Sequence, residues 1–241
     1  MKSDGHLALA ERHRLAESSA VDKDISQDGL RAIAEMTQWS REEEICSQEG
    51  AADYWYYVIA GAARKCLVRR NGQRQIVDLL LPGDFFGFTV EGKHRFSVQA
   101  ITDGTLITRY PRQRVEDLAD HNPLLAKIVR EHAFETIKRL QKQLLIISRM
   151  TATEKVGDFL VEMSERLPQD ARNGTSLPVS RYDIADHLGI SVETVSRSIT
   201  QLKERGSIML GGPRRINIID RTRFNGGTKN AVKLSVSRSH R

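Results

Sequence analysis

Between Trp39 and Pro111 apolar and polar positions alternate in short runs, each closed by a turn that carries glycine. Tyr54 to Ile59 is aromatic and β-branched and stops at Ala60-Gly61. Ala62 to Arg69 and Gln75 to Leu81 flank Asn71-Gly72, a strong two-residue hairpin signal because both residues tolerate positive φ. Pro82-Gly83-Asp84 closes the second run, and Phe96 to Ala100 and Thr105 to Tyr110 follow, with Asp103-Gly104 between them. Many short strands joined this way predict a β-sandwich or jelly roll.

The period then changes to that of a helix, one long segment from about Arg112 to Ser148. Its second half places Ala133, Ile137, Leu140, Leu144 and Ile147 in alternating steps of four and three, the spacing of a coiled-coil seam. An exposed helix with such a seam needs a partner, and the simplest is its own copy in a parallel dimer. Leu124, Leu125 and Ile128 are placed to pack on the strands instead. Thr151-Ala152-Thr153-Glu154 has capping-box spacing and opens a helix whose inward face is Val156, Phe159, Leu160 and Met163. Leu167-Pro168 ends it. Gln169 to Thr175 reads as a polar loop. Ser180-x-x-Asp183 then caps a short helix, Gly189 turns the chain, and a second helix begins. After Gly206, Ile208 to Ile219 reads as two strands around Gly211-Gly212-Pro213, a wing carrying Arg214 and Arg215.

The second helix of that pair carries the chemistry. At ~100° per residue, Glu193, Ser196, Arg197 and Thr200 share one narrow stripe. Val195, Ile199 and Leu202 fall opposite, toward Ile184, Ala185 and Leu188. Two helices joined by a tight turn, with a polar front on the second, have helix-turn-helix spacing, and such a second helix lies in the DNA major groove. Arg197 can donate two bonds to guanine O6 and N7, Glu193 can accept from cytosine N4, and Ser196 can serve either role. Glu193 and Arg197 stand one turn apart and can pair. Ser180, Arg181, Ser191, Thr194, Thr200, Arg214 and Arg215 are candidate contacts to the DNA backbone. An ordinary surface helix with an i,i+4 ion pair would show the same stripe, so the surroundings decide.

Charge is part of those surroundings. From Arg149 onward there are 16 Lys and Arg against 10 Asp and Glu, whereas the first 148 residues hold 21 of each. The whole excess of +6 therefore lies in the half with the helix pair, as phosphate contacts require. A basic tail over 223–241 supplies part of it. Two cysteines, Cys46 and Cys66, give neither a disulfide framework nor metal spacing. Neither a secretory leader nor a long apolar run is evident, so a cytoplasmic protein with no membrane partner is expected. No paired carboxylates, phosphate loop or activated nucleophile suggest an enzyme. The chain divides into a polar arm (1–26, flexible with some helical tendency), a β-domain (27–111), the seam helix (112–148), the helix-turn-helix with wing (149–222) and the tail.

A β-roll, a long dimerising helix and a C-terminal winged helix-turn-helix, in that order, resemble the Crp/Fnr family of bacterial transcription regulators over about residues 27 to 222. Pro82-Gly83-Asp84-Phe85-Phe86-Gly87 is similar to the family's β-roll signature, and Glu193-x-x-Ser196-Arg197 to the base-reading motif of its Fnr and FixK branch. Tyr54 to Lys65, Arg74 to Asp78 and Ser180 to Arg197 look most like FixK-type regulators of rhizobia. The resemblance implies an α+β chain with a cyclic-nucleotide-binding-like jelly roll. It implies a homodimer on double-stranded DNA, reading a TTGAT-N4-ATCAA palindrome and acting, as an activator, with RNA polymerase. Arg197 would read guanine, Glu193 the opposing cytosine and Ser196 a neighbouring thymine. Promoters for low-oxygen respiration, denitrification or nitrogen fixation would be the targets.

The signal is read mostly by exclusion. An oxygen-labile [4Fe–4S] cluster of the Fnr kind needs four thiolates, three near the N-terminus, and none of the two cysteines precedes Cys46. Cyclic AMP binders of the family keep Glu after the Gly-Asp pair and Arg-Ser further on; Phe88 and His94-Arg95 stand there, which argues against the nucleotide. His94, His121 and His132 have no axial-ligand spacing for haem. Some FixK-type proteins carry a cysteine just before the reading pair, where this chain has Ser180. The leading expectation is an activator with no cofactor or effector. The others are the same fold gated by an effector such as haem with NO, and a regulatory module that binds no DNA.

Overall fold

In the computed structural model of the chain, residues 29–70, 72, 74–170, 174–212, 214–220 and 224 are described. The arm over 1–26 and all of the tail except Phe224 lie outside them. Residues up to Leu144 and those from Leu145 onward form two separate packing units.

The first unit holds eight antiparallel strands among its described residues: β1 (Glu35–Trp39), β2 (Glu44–Cys46), β3 (Tyr54–Ala60), β4 (Ala63–Val68), β5 (Arg74–Leu80), β6 (Phe85–Phe86), β7 (Ser97–Ala100) and β8 (Thr105–Pro111). They form two sheets, ordered β1-β8-β3-β6 and β2-β7-β4-β5. Side chains from both sheets meet in one core of Ile45, Tyr56, Val58, Ala63, Leu80, Phe86, Val98, Ala100 and Ile107. This is the jelly-roll expectation met. Gly87 follows β6 at φ +96°, and a Cβ there would stand 2.8 Å from the Tyr54 carbonyl oxygen, so the turn into the next loop requires glycine. The sequence pattern missed β1, β2 and β6. Each is short or polar on its open side; Met36 of β1 faces solvent and Glu35 pairs with Arg109 at 2.7 Å.

The single helix expected over 112–148 is two. α1 (Arg112–His121) stops at Asn122, which is extended at φ −131° and ψ 99°, and α2 runs Pro123–Arg149. Asn122 Oδ1 accepts from the Leu124 and Leu125 amides at 3.0 and 3.1 Å. Pro123 sits at the first helical position, where it needs no donor and disfavours helix in the residue before it. Asn122-Pro123 is thus a stop and a start in two residues.

α2 has two faces. One is held to the β-roll: Leu125 is buried, His132 lies 4.5 Å from the Phe85 ring, and Arg139 pairs with Asp84 at 2.5 Å and Asp78 at 3.5 Å. The other is apolar and open, with Phe134, Ile137, Leu140 and Leu144 exposed by 60, 48, 49 and 67%. Leu124, expected on the roll, is exposed instead; it lies one position off the Leu125 face. Ala133 is half-buried, and the side chain of Ile147 lies outside the described residues.

The second unit comprises α3 (Ala152–Arg166), β9 (Gln169–Asp170), β10 (Gly174–Ser176), α4 (Arg181–Leu188), α5 (Val192–Glu204), β11 (Ile208–Gly212) and β12 (Arg215–Ile218). The capping box at Thr151 and Glu154 is formed in full. Val156, Phe159, Leu160 and Met163 of α3 are buried, as are Ile184, Ala185 and Leu188 of α4, and Val195, Ile199 and Leu202 of α5. The strands form one sheet in the order β11-β12-β10-β9. The stretch read as a polar loop over Gln169 to Thr175 therefore contains strands. Thr175 opposite Ile216 and Ser176 opposite Arg215 extend the wing, and two- or three-residue strands are too short to show a period of two.

Candidate nucleic-acid interface

Local rules set up the helix pair. Ser180 Oγ accepts from the Asp183 amide at 3.1 Å and donates to Asp183 Oδ2 at 2.6 Å, closing a second capping box. α4 ends at Gly189, whose φ of +65° turns the chain, with its amide donating to the Ala185 carbonyl. Ser191 then caps α5 by accepting from the Thr194 amide at 3.2 Å, its hydroxyl 2.9 Å from Thr194 Oγ1. The turn is fixed at both ends by side chains that the sequence supplies.

The buried stripe of Val195, Ser198, Ile199 and Leu202 leaves the opposite face of α5 outward. Glu193, Arg197 and Thr200 are exposed there and Ser196 is half-buried. The Glu193 carboxyl is held below its usual range by its own backbone amide first and the Ser191 hydroxyl second, with the Arg197 charge adding less. The pairing of Glu193 with Arg197 is not closed: the guanidinium leans on Thr194 Oγ1 at 3.5 Å. Placed at the helix N-terminus, Glu193 already has donors, so it does not need the cation.

Arg181, taken as a backbone contact, reaches across from the first turn of α4 and donates from Nη1 to Ser196 Oγ at 3.0 Å. Next to it Tyr182 is 70% exposed, an aromatic surface that the sequence reading passed over. Among the described residues Arg214 and Arg215 make no ion pair and are exposed on the β11–β12 wing. Thus Glu193, Ser196, Arg197, Arg181, Ser191 and Thr194 gather on the N-terminal halves of two adjoining helices, with Thr200 one turn further along α5. Ser180, by contrast, has its hydroxyl committed to Asp183.

Residues 154–225 match the model of a Crp-like helix-turn-helix domain and residues 36–122 that of a cyclic nucleotide-binding domain. The chain is 37% identical over 196 residues to the nitrogen fixation regulation protein FixK of Azorhizobium caulinodans, covering 80% of this chain and 79% of the relative. Against FixK of Rhizobium meliloti the identity is 40% over 176 residues, 73% of this chain and 79% of that one. The solved structure of FixK2 from Bradyrhizobium japonicum superposes with a TM-score of 0.74 at 34% identity, covering 80% of this chain and 96% of that one. Fold, helix pair and likeness together define a DNA-binding transcription regulator, not an enzyme. The chain belongs to the Crp/Fnr family, within its FixK-like branch, whose members act as dimers.

A domain of the nucleotide-binding kind implies a cyclic nucleotide, and the residues present do not fit one. Phe88 follows Gly87 where a carboxylate would take the ribose hydroxyls, and it packs edge-on against Trp55 with centroids 4.9 Å apart. The adjoining cavity, about 170 Å³ and lined in part by Cys46, Lys65, His94 and Phe96, is below the ~300 Å³ usual for organic ligands. His94 is buried, which lowers its pKa, and Lys65 sits 4.8 Å over the Phe96 ring with its own pKa lowered by burial. Burial pushes the Cys46 thiol up to about 12, so it carries no reactive thiolate at neutral pH. Cys66 is buried within β4. Among the described residues no three metal-ligating side chains come together, and no helix is long and apolar enough to cross a membrane.

Proposed function

We propose that this regulator binds as a homodimer to a TTGAT-N4-ATCAA-like palindrome, with Arg197 on guanine, Glu193 on the opposing cytosine and Ser196 on a neighbouring thymine. The exposed stripe of α5, opposite a buried and mostly apolar face, carries this reading. Ser191, Thr194, Thr200, Arg214 and Arg215 meet phosphates; Ser180 acts through the helix cap it forms, and Arg181 is turned onto Ser196 instead of a phosphate. The seam of Ala133, Ile137, Leu140, Leu144 and Ile147 joins the two copies, and two-fold symmetry on the palindrome puts the recognition helices ~34–36 Å apart, one DNA turn. Residues 27–111 serve as a sensory-type β-roll that needs no effector, 112–148 as the dimerisation region, and 149–222 as the DNA-binding domain.

Three of the relatives are named for regulating nitrogen fixation, and others of 30–32% identity are named as transcriptional activators. Low-oxygen respiration, denitrification and nitrogen fixation are the processes this supports, through an activator that engages RNA polymerase in the cytoplasm. The test is a gel shift on the palindrome with no added effector, with and without reductant. Arg197→Ala should cost about 1–3 kcal/mol on the specific site and flatten discrimination at one base pair. A loss equal on every duplex would make Arg197 a phosphate contact and overturn the assignment.

A further inference from the structure

A serine hydroxyl offers one donor and two acceptor lone pairs, and on a free helix face it turns to suit whichever base edge it meets. Ser196 is not free to do so. Arg181 Nη1 donates to Ser196 Oγ at 3.0 Å from the neighbouring helix, and a guanidinium has donors only. Ser196 Oγ is therefore the acceptor of that bond. Its own proton must point elsewhere, and a hydroxyl already accepting from a cation is a stronger donor. Among the described residues no carboxylate pairs with Arg181 or competes with Ser196 for the guanidinium.

We propose that Arg181 is a positioning residue for base selection: it occupies an acceptor site of Ser196 and leaves that side chain presenting a proton. The base pair that Ser196 faces is then selected for a major-groove acceptor, thymine O4 or a purine N7 or O6. Cytosine, which offers only the N4 donor in the major groove, meets the single remaining lone pair and is disfavoured. This rests on reading α5 as the base-reading helix, and it gives Arg181 a role apart from holding a phosphate. Arg181 lies one residue inside α4 and is exposed, so replacing it leaves the helix cap at Ser180 and Asp183 intact.

The experiment measures fluorescence anisotropy of the full-length protein on half-site duplexes permuted one base pair at a time, across a range of salt. The pair whose preference Ser196→Ala abolishes is the one Ser196 reads. There, thymine, guanine or adenine should bind about two- to tenfold tighter than cytosine in the unaltered protein, the worth of one hydrogen bond. Arg181→Met should bring the four duplexes within about twofold of one another, with the salt slope unchanged, and should add nothing in the Ser196→Ala background. If Arg181→Met weakens all four equally and reduces the slope by about one unit, Arg181 is a phosphate contact and the proposal fails. If the two substitutions act additively on discrimination, it fails as well. If Ser196→Ala leaves every preference intact, the base-reading assignment of Ser196 is what falls, and the role of Arg181 falls with it.

Discussion

Leu140→Asp tests the seam on α2. In the single chain Leu140 is 49% exposed, with Ile137 and Leu144 open beside it. Complete burial of a leucine is worth about 1.5–3 kcal/mol, so covering the open half contributes about 1 kcal/mol per chain and about 2 per dimer. Aspartate forfeits that and sets two carboxylates against each other across the two-fold axis, where desolvating each costs several kcal/mol more. The apolar part alone weakens association about 30-fold. The carboxylates carry the loss beyond about a thousandfold. Light scattering at micromolar concentration should show the mass fall from dimer to monomer, and tight binding to the palindrome should fall toward that of a single half-site. Because Leu140 is already half open in the single chain, the urea midpoint of the variant should lie within about 0.5 kcal/mol equivalent of that of the unaltered protein diluted below its dimer dissociation constant. An unchanged mass would refute the seam.

Arg139→Met strands Asp78 and Asp84 without their shared cation in a site where all three side chains are no more than 20% exposed. Removing one partner of a buried pair costs about 3–5 kcal/mol, and less here because the Leu81 amide still serves Asp84 and the Lys65 charge still faces Asp78, so the urea midpoint should drop; an unaltered midpoint would mean that water serves the carboxylates equally well. Burial lowers the imidazole pKa of His94 and His132 from 6.5, so the unfolded chain binds more protons than the folded one as pH falls through that value. Stability from these groups is complete above pH 6.5 and is lost below it, and His94→Gln with His132→Gln should reduce the fall in melting temperature between pH 7.5 and 5. An identical fall in the double variant would show that other groups titrate instead.

What the sequence revealed follows the range over which each signal acts. The capping boxes at Thr151 and Ser180 and the left-handed Gly189 are written in three to five adjacent residues, and all formed. The strands of Tyr54–Ala60 and Thr105–Pro111 were legible because aromatic and β-branched runs end at glycine turns. β1 was not, because an edge strand with a solvent face has no apolar alternation to show. Asn122-Pro123 was readable in principle, as a cap followed by a first-turn proline, but the seam's long periodicity masked it. Contacts set by tertiary placement left no local mark. Arg139 meets Asp84 across 55 positions and Arg181 meets Ser196 across 15, and neither pair has a spacing that pattern could detect.

Phe88 and the seam together bear on how such a regulator is controlled. Phe88 stands at the position where a ligand-recognising carboxylate would stand, its ring edge-on to Trp55 and close to Phe85. On the proposed reading, in which the β-roll needs no effector, the variable left is the dimer. Under the proposed assembly, each specific complex consumes two chains, so below the dissociation constant of the dimer occupancy of the palindrome rises with the square of protein concentration. A twofold change in abundance then alters occupancy about fourfold, which is steep enough for synthesis and degradation to act as the signal. Titrating the palindrome with unaltered protein at concentrations straddling that constant should give a slope near two on a logarithmic plot. A slope near one throughout would mean that the dimer never dissociates in this range, and abundance would then act only in proportion.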